Sequence, residues 1–229
     1  MSAASVTKAG RPLAIECAGE TLWLLPEHAL WWPAGRVLCV ADVHLGKAAT
    51  YRALGQPVPV GTTRENLARL TLLLSHYQPA QLVFLGDFLH AAQAKTASLL
   101  AALAVWRLEH AALECVLVRG NHDSRAGDPP VSLAIETVNE PWPVGPFAAC
   151  HHPQTVAGRY VLAGHLHPAL TLRGPAHDHL RLPCFSFDAH CAVLPAFGEF
   201  TGGWSVPRQP GRALYAVGGG AVWRVPVGR

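Results

Sequence analysis

Five short clusters of Asp, Asn and His, each behind an apolar run, carry the chemistry of this sequence. Val37-Leu38-Cys39-Val40-Ala41 leads into Asp42-Val43-His44, Leu82-Val83-Phe84-Leu85 into Gly86-Asp87, and Cys115-Val116-Leu117-Val118 towards Gly120-Asn121-His122-Asp123. Phe147-Ala148-Ala149-Cys150 leads into His151-His152-Pro153, and Tyr160-Val161-Leu162-Ala163 into Gly164-His165-Leu166-His167-Pro168. Carboxylates, a carboxamide and imidazoles together offer mixed nitrogen and oxygen coordination, which suits Mn, Zn or Fe better than Mg alone. Asp87 can bridge two cations roughly 3.5 to 4 Å apart, because a carboxylate has two oxygens. Such a pair would bind a phosphate ester, neutralise its charge and turn a bridging water into hydroxide near neutral pH. His122, one residue beyond Asn121, would project differently from the ligands and protonate the leaving oxygen, with Asp123 orienting its imidazole.

Positioning these residues takes a particular scaffold. Apolar runs ending in ligands read as buried strands whose carboxyl ends share one rim, where open α/β sheets place their chemistry. The stretches between the first three are long enough for crossover helices. One helix begins at Thr62 or Thr63, shows an apolar stripe at Leu67, Leu70, Leu73 or Leu74, and Tyr77, and stops at Pro79; a second is expected over 91–110. Right-handed crossovers would put both on the sheet faces. Before them, 13–17 and 21–25 read as a hairpin, with 28–32 a third strand. Residues 46–61 hold Lys47, Tyr51, Arg52, Gln56, Pro57 and Pro59 and read as a functional irregular loop, and 124–130 as another loop. From 131 onward, short strands divided by Pro and Gly indicate a second, largely antiparallel sheet packed on the first. A His-x-His pair on an extended segment would put His165 and His167 on one face, able to serve two neighbouring cations.

With 229 residues the chain reads as one α/β domain, with 1–10 a frayed terminus. Eighteen Lys and Arg against fifteen Asp and Glu give +3, too little to announce a nucleic-acid binder by charge alone. The six cysteines show no C-x-x-C spacing and read as reduced core thiols. No apolar run approaches the roughly 20 residues of a membrane span, and the start lacks a signal peptide's apolar stretch. The expectation is therefore a cytoplasmic protein without a membrane partner.

A lone Asp or His after a strand is ordinarily a cap or a satisfied surface group; the weight here rests on the ordered set. That set, Asp42-x-His44, Gly86-Asp87, Gly120-Asn121-His122-Asp123, His151 and Gly164-His165-x-His167, resembles the calcineurin-like metallophosphoesterase superfamily. The resemblance implies a two-sheet β-sandwich of mixed parallel and antiparallel strands flanked by helices. It implies one metal on Asp42, His44, Asp87 and His167, and a second on Asp87, Asn121, His151 and His165. His122 becomes the catalytic histidine. The superfamily's His-x-Pro pattern favours His151 over His152 as the ligand.

A narrower likeness covers nearly the whole chain. Asp42-Val43-His44-Leu45-Gly46-Lys47 with Arg52 and Gly55-Gln56-Pro57-Val58-Pro59, then Leu182-Pro183-Cys184-Phe185 and Leu194-Pro195-Ala196-Phe197-Gly198 through Phe200-Thr201-Gly202-Gly203, is similar to the ligase-associated DNA damage response endonucleases (the PdeM family). This resemblance implies metal-dependent cleavage of single-stranded DNA, with Mn as the expected metal and Fe or Zn as alternatives. It also implies association with a DNA ligase, a helicase and an exonuclease. Lys47, Arg52, Arg125 and His152 are candidates for contact with substrate phosphate; solvated surface charge is the plainer role for the cations. Trp31, Trp32, Trp204 and Phe197 are candidate base-stacking platforms, with core packing the alternative. Two other functions remain open: hydrolysis of a small phosphoester such as a cyclic nucleotide, and a binding scaffold that has lost its chemistry.

Overall fold

In the computed structural model, residues 10–53, 55, 61–173, 179–199 and 201–226 are described. Most of the expected terminal segment, and Gln56, Pro57 and Pro59 of the expected loop, lie outside them. The first sheet holds β1 (Leu13–Cys17), β2 (Glu20–Leu25), β3 (Ala29–Trp32), β4 (Val37–Val40), β5 (Gln81–Leu85), β6 (Glu114–Val118) and β7 (Glu136–Val138), side by side in chain order. β1 to β4 are antiparallel neighbours, whereas β4 to β7 run parallel, with Val40 beside Phe84 and Phe84 beside Leu117. Parallel neighbours need crossovers. The chain supplies α1 (Lys47–Ala53) and α2 (Thr62–Tyr77) before β5, α3 (Ala97–Glu109) before β6, and α4 (Asn121–Ala126) before β7.

The second sheet holds β8 (Trp142–Val144), β9 (Phe147–Ala149), β10 (Tyr160–Ala163), β11 (Pro168–Arg173), β12 (His179–Phe187), β13 (Cys191–Val193), β14 (Trp204–Ser205), β15 (Ala213–Gly218) and β16 (Ala221–Val225). Its pairings are mostly antiparallel; β9 with β10, β10 with β13 and β11 with β14 are parallel. The two sheets face each other across a core that includes Val37, Cys39, Val83 and Leu85 from the first and Phe147, Leu162, Phe185 and Tyr215 from the second. On the other face of the first sheet, Leu38, Val40, Phe84 and Leu117 meet Leu67, Leu70 and Leu74 of α2 and Leu99, Leu103 and Trp106 of α3. Strands covered on both faces read as unbroken apolar runs, which is why β4, β5 and β6 were plain in the sequence. All six cysteines are free, and five are buried.

Local structure departs from expectation in three helical segments. Residues 47–53 form a helix where an irregular loop was expected; Ala48, Ala49 and Ala53 are strong helix formers and the prolines begin only at Pro57. The second helix starts at Ala97 rather than 91, because Thr96 caps it by accepting the Leu99 amide at 3.2 Å, and residues 92–94 form a separate 3₁₀ turn. Residues 121–126 are helical, so the ligand cluster opens α4 and the loop shrinks to the segment after it.

Candidate metal centre

The loops after β4, β5, β6, β9 and β10 converge on one rim, and each delivers its cluster. Asp42, His44, Asp87, His165 and His167 all hold left-handed backbone, with φ of 53°, 48°, 51°, 70° and 48°. Such geometry costs a non-glycine residue on the order of 1 kcal/mol and persists where the surroundings over-determine it. The His165–His167 segment is accordingly not extended. Its two imidazoles separate, His165 towards His151 and His167 towards Asp42 and His44. The motif glycines make room: a Cβ on Gly86, itself at φ 82°, would run into the His151 ring, and one on Gly120 into the Asp87 carboxylate.

Two acceptor clusters result. In the first, His167 Nε2 stands 3.4 Å from Asp42 Oδ1 and 3.4 Å from His44 Nε2, which is 3.8 Å from Asp87 Oδ2. In the second, His151 Nε2 lies 2.9 Å from Asn121 Oδ1, 3.1 Å from His165 Nδ1 and 3.5 Å from Asp87 Oδ1. Asp87 thus turns one oxygen to each cluster. His151 Nδ1 donates to the Leu85 carbonyl at 3.1 Å and His167 Nδ1 to the Gly202 carbonyl at 3.0 Å. A carbonyl only accepts, so in the neutral ring each Nε2 presents a lone pair to its cluster. Asp42 Oδ1 is buried without a hydrogen-bond partner. Lone pairs and carboxylate oxygens this close fit a pair of divalent cations.

Electrostatics favour the neutral ring at His44 and His165. Burial, followed by Lys47 and neighbouring imidazoles, drives the His44 pKa far down and keeps its ring neutral, as a ligand must be. Burial lowers His165 too, with His151 and His152 adding to it. His167 moves up: burial opposes its charge, but the Asp42 carboxylate outweighs it. Lys47, at the start of α1, is only 8% exposed; burial lowers its ammonium pKa while Asp42 and Asp87 hold it up.

His122 sits at the clusters' edge, its Nε2 3.9 Å from Asp87 Oδ2 and its amide donating to Asp87 Oδ1 at 2.9 Å. Its ring is oriented by the His90 carbonyl, 2.7 Å from Nδ1, rather than by Asp123. Asp123 is fully buried and uses Oδ1 for the Leu89 amide at 3.1 Å and Oδ2 for the Gly120 amide at 3.0 Å. It pins the β5 and β6 loops to each other. Arg125 is one helical turn from Asn121, and both line a cavity of about 410 Å³ with His152. Arg52 instead lines a cavity walled by α1, α2 and α3. Trp31 and Trp32 are buried in the core and offer no stacking face, Phe197 is buried beneath the Arg69 guanidinium, and Trp204 is 42% exposed.

His90, close enough to Asp87 in sequence to line the cleft, stacks its ring on His122 with centroids 5.0 Å apart. One contributor escaped sequence reasoning. Glu140 accepts the amides of His151 and His152 at 2.7 and 2.8 Å and meets His152 Nδ1 at 2.6 Å. Burial opposes its ionisation, yet these donors hold its carboxyl below the usual range. Glu140→Gln keeps the shape and removes the charge that fixes this corner. Loosening a residue that orients a ligand costs about 10- to 100-fold in metal affinity. Titration should show that loss for one cation per chain and leave the other unchanged.

Residues 35–167 match the calcineurin-like phosphoesterase family, and the chain belongs to it: a two-sheet sandwich with a paired acceptor cluster at the strand ends is the structure of a metal-dependent phosphoesterase with a dinuclear divalent centre. Among solved structures, nuclease MPE of Pseudomonas putida is similar at 49% sequence identity, covering 94% of this chain and 100% of that one, with a TM-score of 0.84. Yfce, a phosphoesterase from E. coli, matches at 16% identity over 80% of this chain and 88% of that one, with a TM-score of 0.35. No curated protein matches the sequence. No helix among the described residues is long and apolar enough to cross a membrane.

Proposed function

We propose that this chain is a single-domain, dinuclear metal-dependent nuclease that hydrolyses internal phosphodiester bonds of DNA, preferring single strands. The observation that carries the reading is Asp87, whose two oxygens face two acceptor clusters, with His122 beside them, in a chain 49% identical to a nuclease. Asp42, His44, Asp87 and His167 would hold one cation and Asp87, Asn121, His151 and His165 the other. When bound, the cations supply charge neutralisation for the phosphate and an activated water. His122 gives a proton to the leaving oxygen from Nε2, its Nδ1 proton being fixed on the His90 carbonyl. Lys47 and Arg125 are assigned to non-bridging phosphate oxygens, and Asp123 keeps Gly120 and Leu89 in register. Mixed N/O donors favour Mn, with Fe or Zn next. A DNA-repair role in the cytoplasm beside a ligase, a helicase and an exonuclease follows from the family likeness.

The test is a circular single-stranded DNA incubated with the Mn²⁺-loaded protein, beside bis(p-nitrophenyl) phosphate. Linear product establishes internal cleavage. Intact circles with turnover of the small diester would move the reading to a small phosphoester, and no turnover of either would leave a scaffold.

A further inference from the structure

A second cavity, of about 330 Å³, opens beside the metal centre and shares His167 as a wall. Its other sides come from Arg69 of α2, Ala169 of β11, Arg181 of β12, and Phe197 and Gly203 of the segment between β13 and β14. That segment also supplies the Gly202 carbonyl that orients His167, so the cavity and the first metal cluster are built from the same loop. A Cβ at Gly203 would stand 2.9 Å from the Ala169 methyl and 3.0 Å from Arg181 Nη2.

Two guanidinium groups line the cavity, Arg181 among uncharged acceptors and Arg69 within the field of the Glu199, Glu27 and Glu65 carboxylates. Arg181 gives Nη1 to Ser205 Oγ at 2.7 Å and Nη2 to the Gly203 carbonyl, both uncharged acceptors. Arg69 binds the Phe197 carbonyl and Asn66 Oδ1, lies 4.0 Å above the Phe197 ring, and keeps a buried Nε without a partner. Among the described residues neither guanidinium forms an ion pair, and Glu199 is the cavity's lone carboxylate. An arginine fork held at its ends by neutral oxygens keeps its charge and its remaining N–H groups for an anion, and phosphate is the anion whose geometry it matches. The volume suits a ligand of nucleotide size. Trp204, although exposed, is not part of this cavity. It pairs with Pro168 and Arg181 with Thr171, residues of opposite parity on β11, so the two side chains leave opposite faces of the sheet.

We propose that this cavity is a subsite for the nucleotide adjoining the cleaved bond on the His167 side, with Arg181 holding its phosphate. The inference rests on the nuclease reading, and its test separates the two. Michaelis parameters are measured for wild type, Arg181→Ala and Arg181→Lys on a single-stranded oligonucleotide and on bis(p-nitrophenyl) phosphate, which lacks the flanking phosphate. Arg181→Ala is expected to raise KM for the oligonucleotide by about 10- to 100-fold, the loss of a charge-assisted contact. Its log KM should also depend less steeply on log salt, by about 0.7 for one phosphate on a single strand. Hydrolysis of the small diester should not change, and Arg181→Lys should recover part of the salt dependence. Wild type that cleaves the oligonucleotide with a KM unmoved by Arg181→Ala would overturn the subsite alone, as would an equal loss on both substrates. Wild type inert on the oligonucleotide but active on the small diester would overturn the nuclease reading and the subsite with it.

Discussion

Asp87→Ala will release both cations and reduce phosphodiester turnover by more than about 10³-fold, since the several kcal/mol that a paired centre supplies to the transition state all depend on this carboxylate. Oδ1 faces His151 and Oδ2 faces His44, at 3.5 and 3.8 Å. Removing the group leaves two dications repelling each other with no shared anion between them. A loss of activity alone would not separate this from misfolding, because Asp87 also accepts the His122 amide and holds a left-handed φ that Ala tolerates poorly. Asp87→Asn answers that objection: Asn is at ease in the left-handed region, keeps an acceptor oxygen and lacks the charge. Added metal should raise the unfolding temperature of wild type, by about 2.7 kcal/mol of stability at a hundred times Kd. Neither variant should respond. Either variant retaining two bound cations and turnover would end the assignment of Asp87 as their shared ligand.

What the sequence shows of such a centre is its ligands, and the reason is geometric. The first three clusters follow strands that end in unbroken buried apolar runs covered on both faces, so β4, β5 and β6 announce themselves and so do the residues at their ends. The helices were legible where a stripe or a proline marked them, as at Leu67, Leu70, Leu74 and Pro79. They were not where two local signals competed. Residues 47–53 carry helix-forming alanines next to a Pro- and Gly-rich stretch, and the latter dominated the reading. Thr96 was an available N-cap signal within a run that otherwise looked uniformly helical. The parts that support the ligands were hidden for another cause, since they arrive from distant sequence. Glu140 reaches His151 across 11 positions, the His90 carbonyl reaches His122 across 32, and Gly202 reaches His167 across 35. No spacing rule links such pairs. Left-handed backbone at five ligand-type residues was equally invisible, because Asp and His do not announce it as glycine does. The assignment of Asp123 to the His122 ring shows the same limit. Adjacency in sequence suggested the contact, yet at the start of α4 the Asp123 side chain turns back onto the Gly120 amide.

His122→Ala should keep both cations and slow cleavage of DNA by about 10² to 10⁴-fold, the usual range for removing a positioned proton donor. The geometry makes a sharper expectation available, since His122 stands in contact with Asp87 without joining either acceptor cluster and its side chain is 31% exposed towards the cleft. A group that only donates a proton matters in proportion to how much the leaving oxygen needs one. A sugar hydroxyl is a poor leaving group and p-nitrophenolate a good one. The variant's deficit should therefore be large on DNA and small on bis(p-nitrophenyl) phosphate. A cation ligand would behave differently, lowering metal content and both activities together. A residue that merely props Asp87 through its amide would be unaffected by the change to alanine, because the backbone N–H remains. Equal deficits on the two substrates with full metal occupancy would assign His122 to phosphate binding, and the proton would have to come from elsewhere in the cleft, where the stacked His90 ring is nearest.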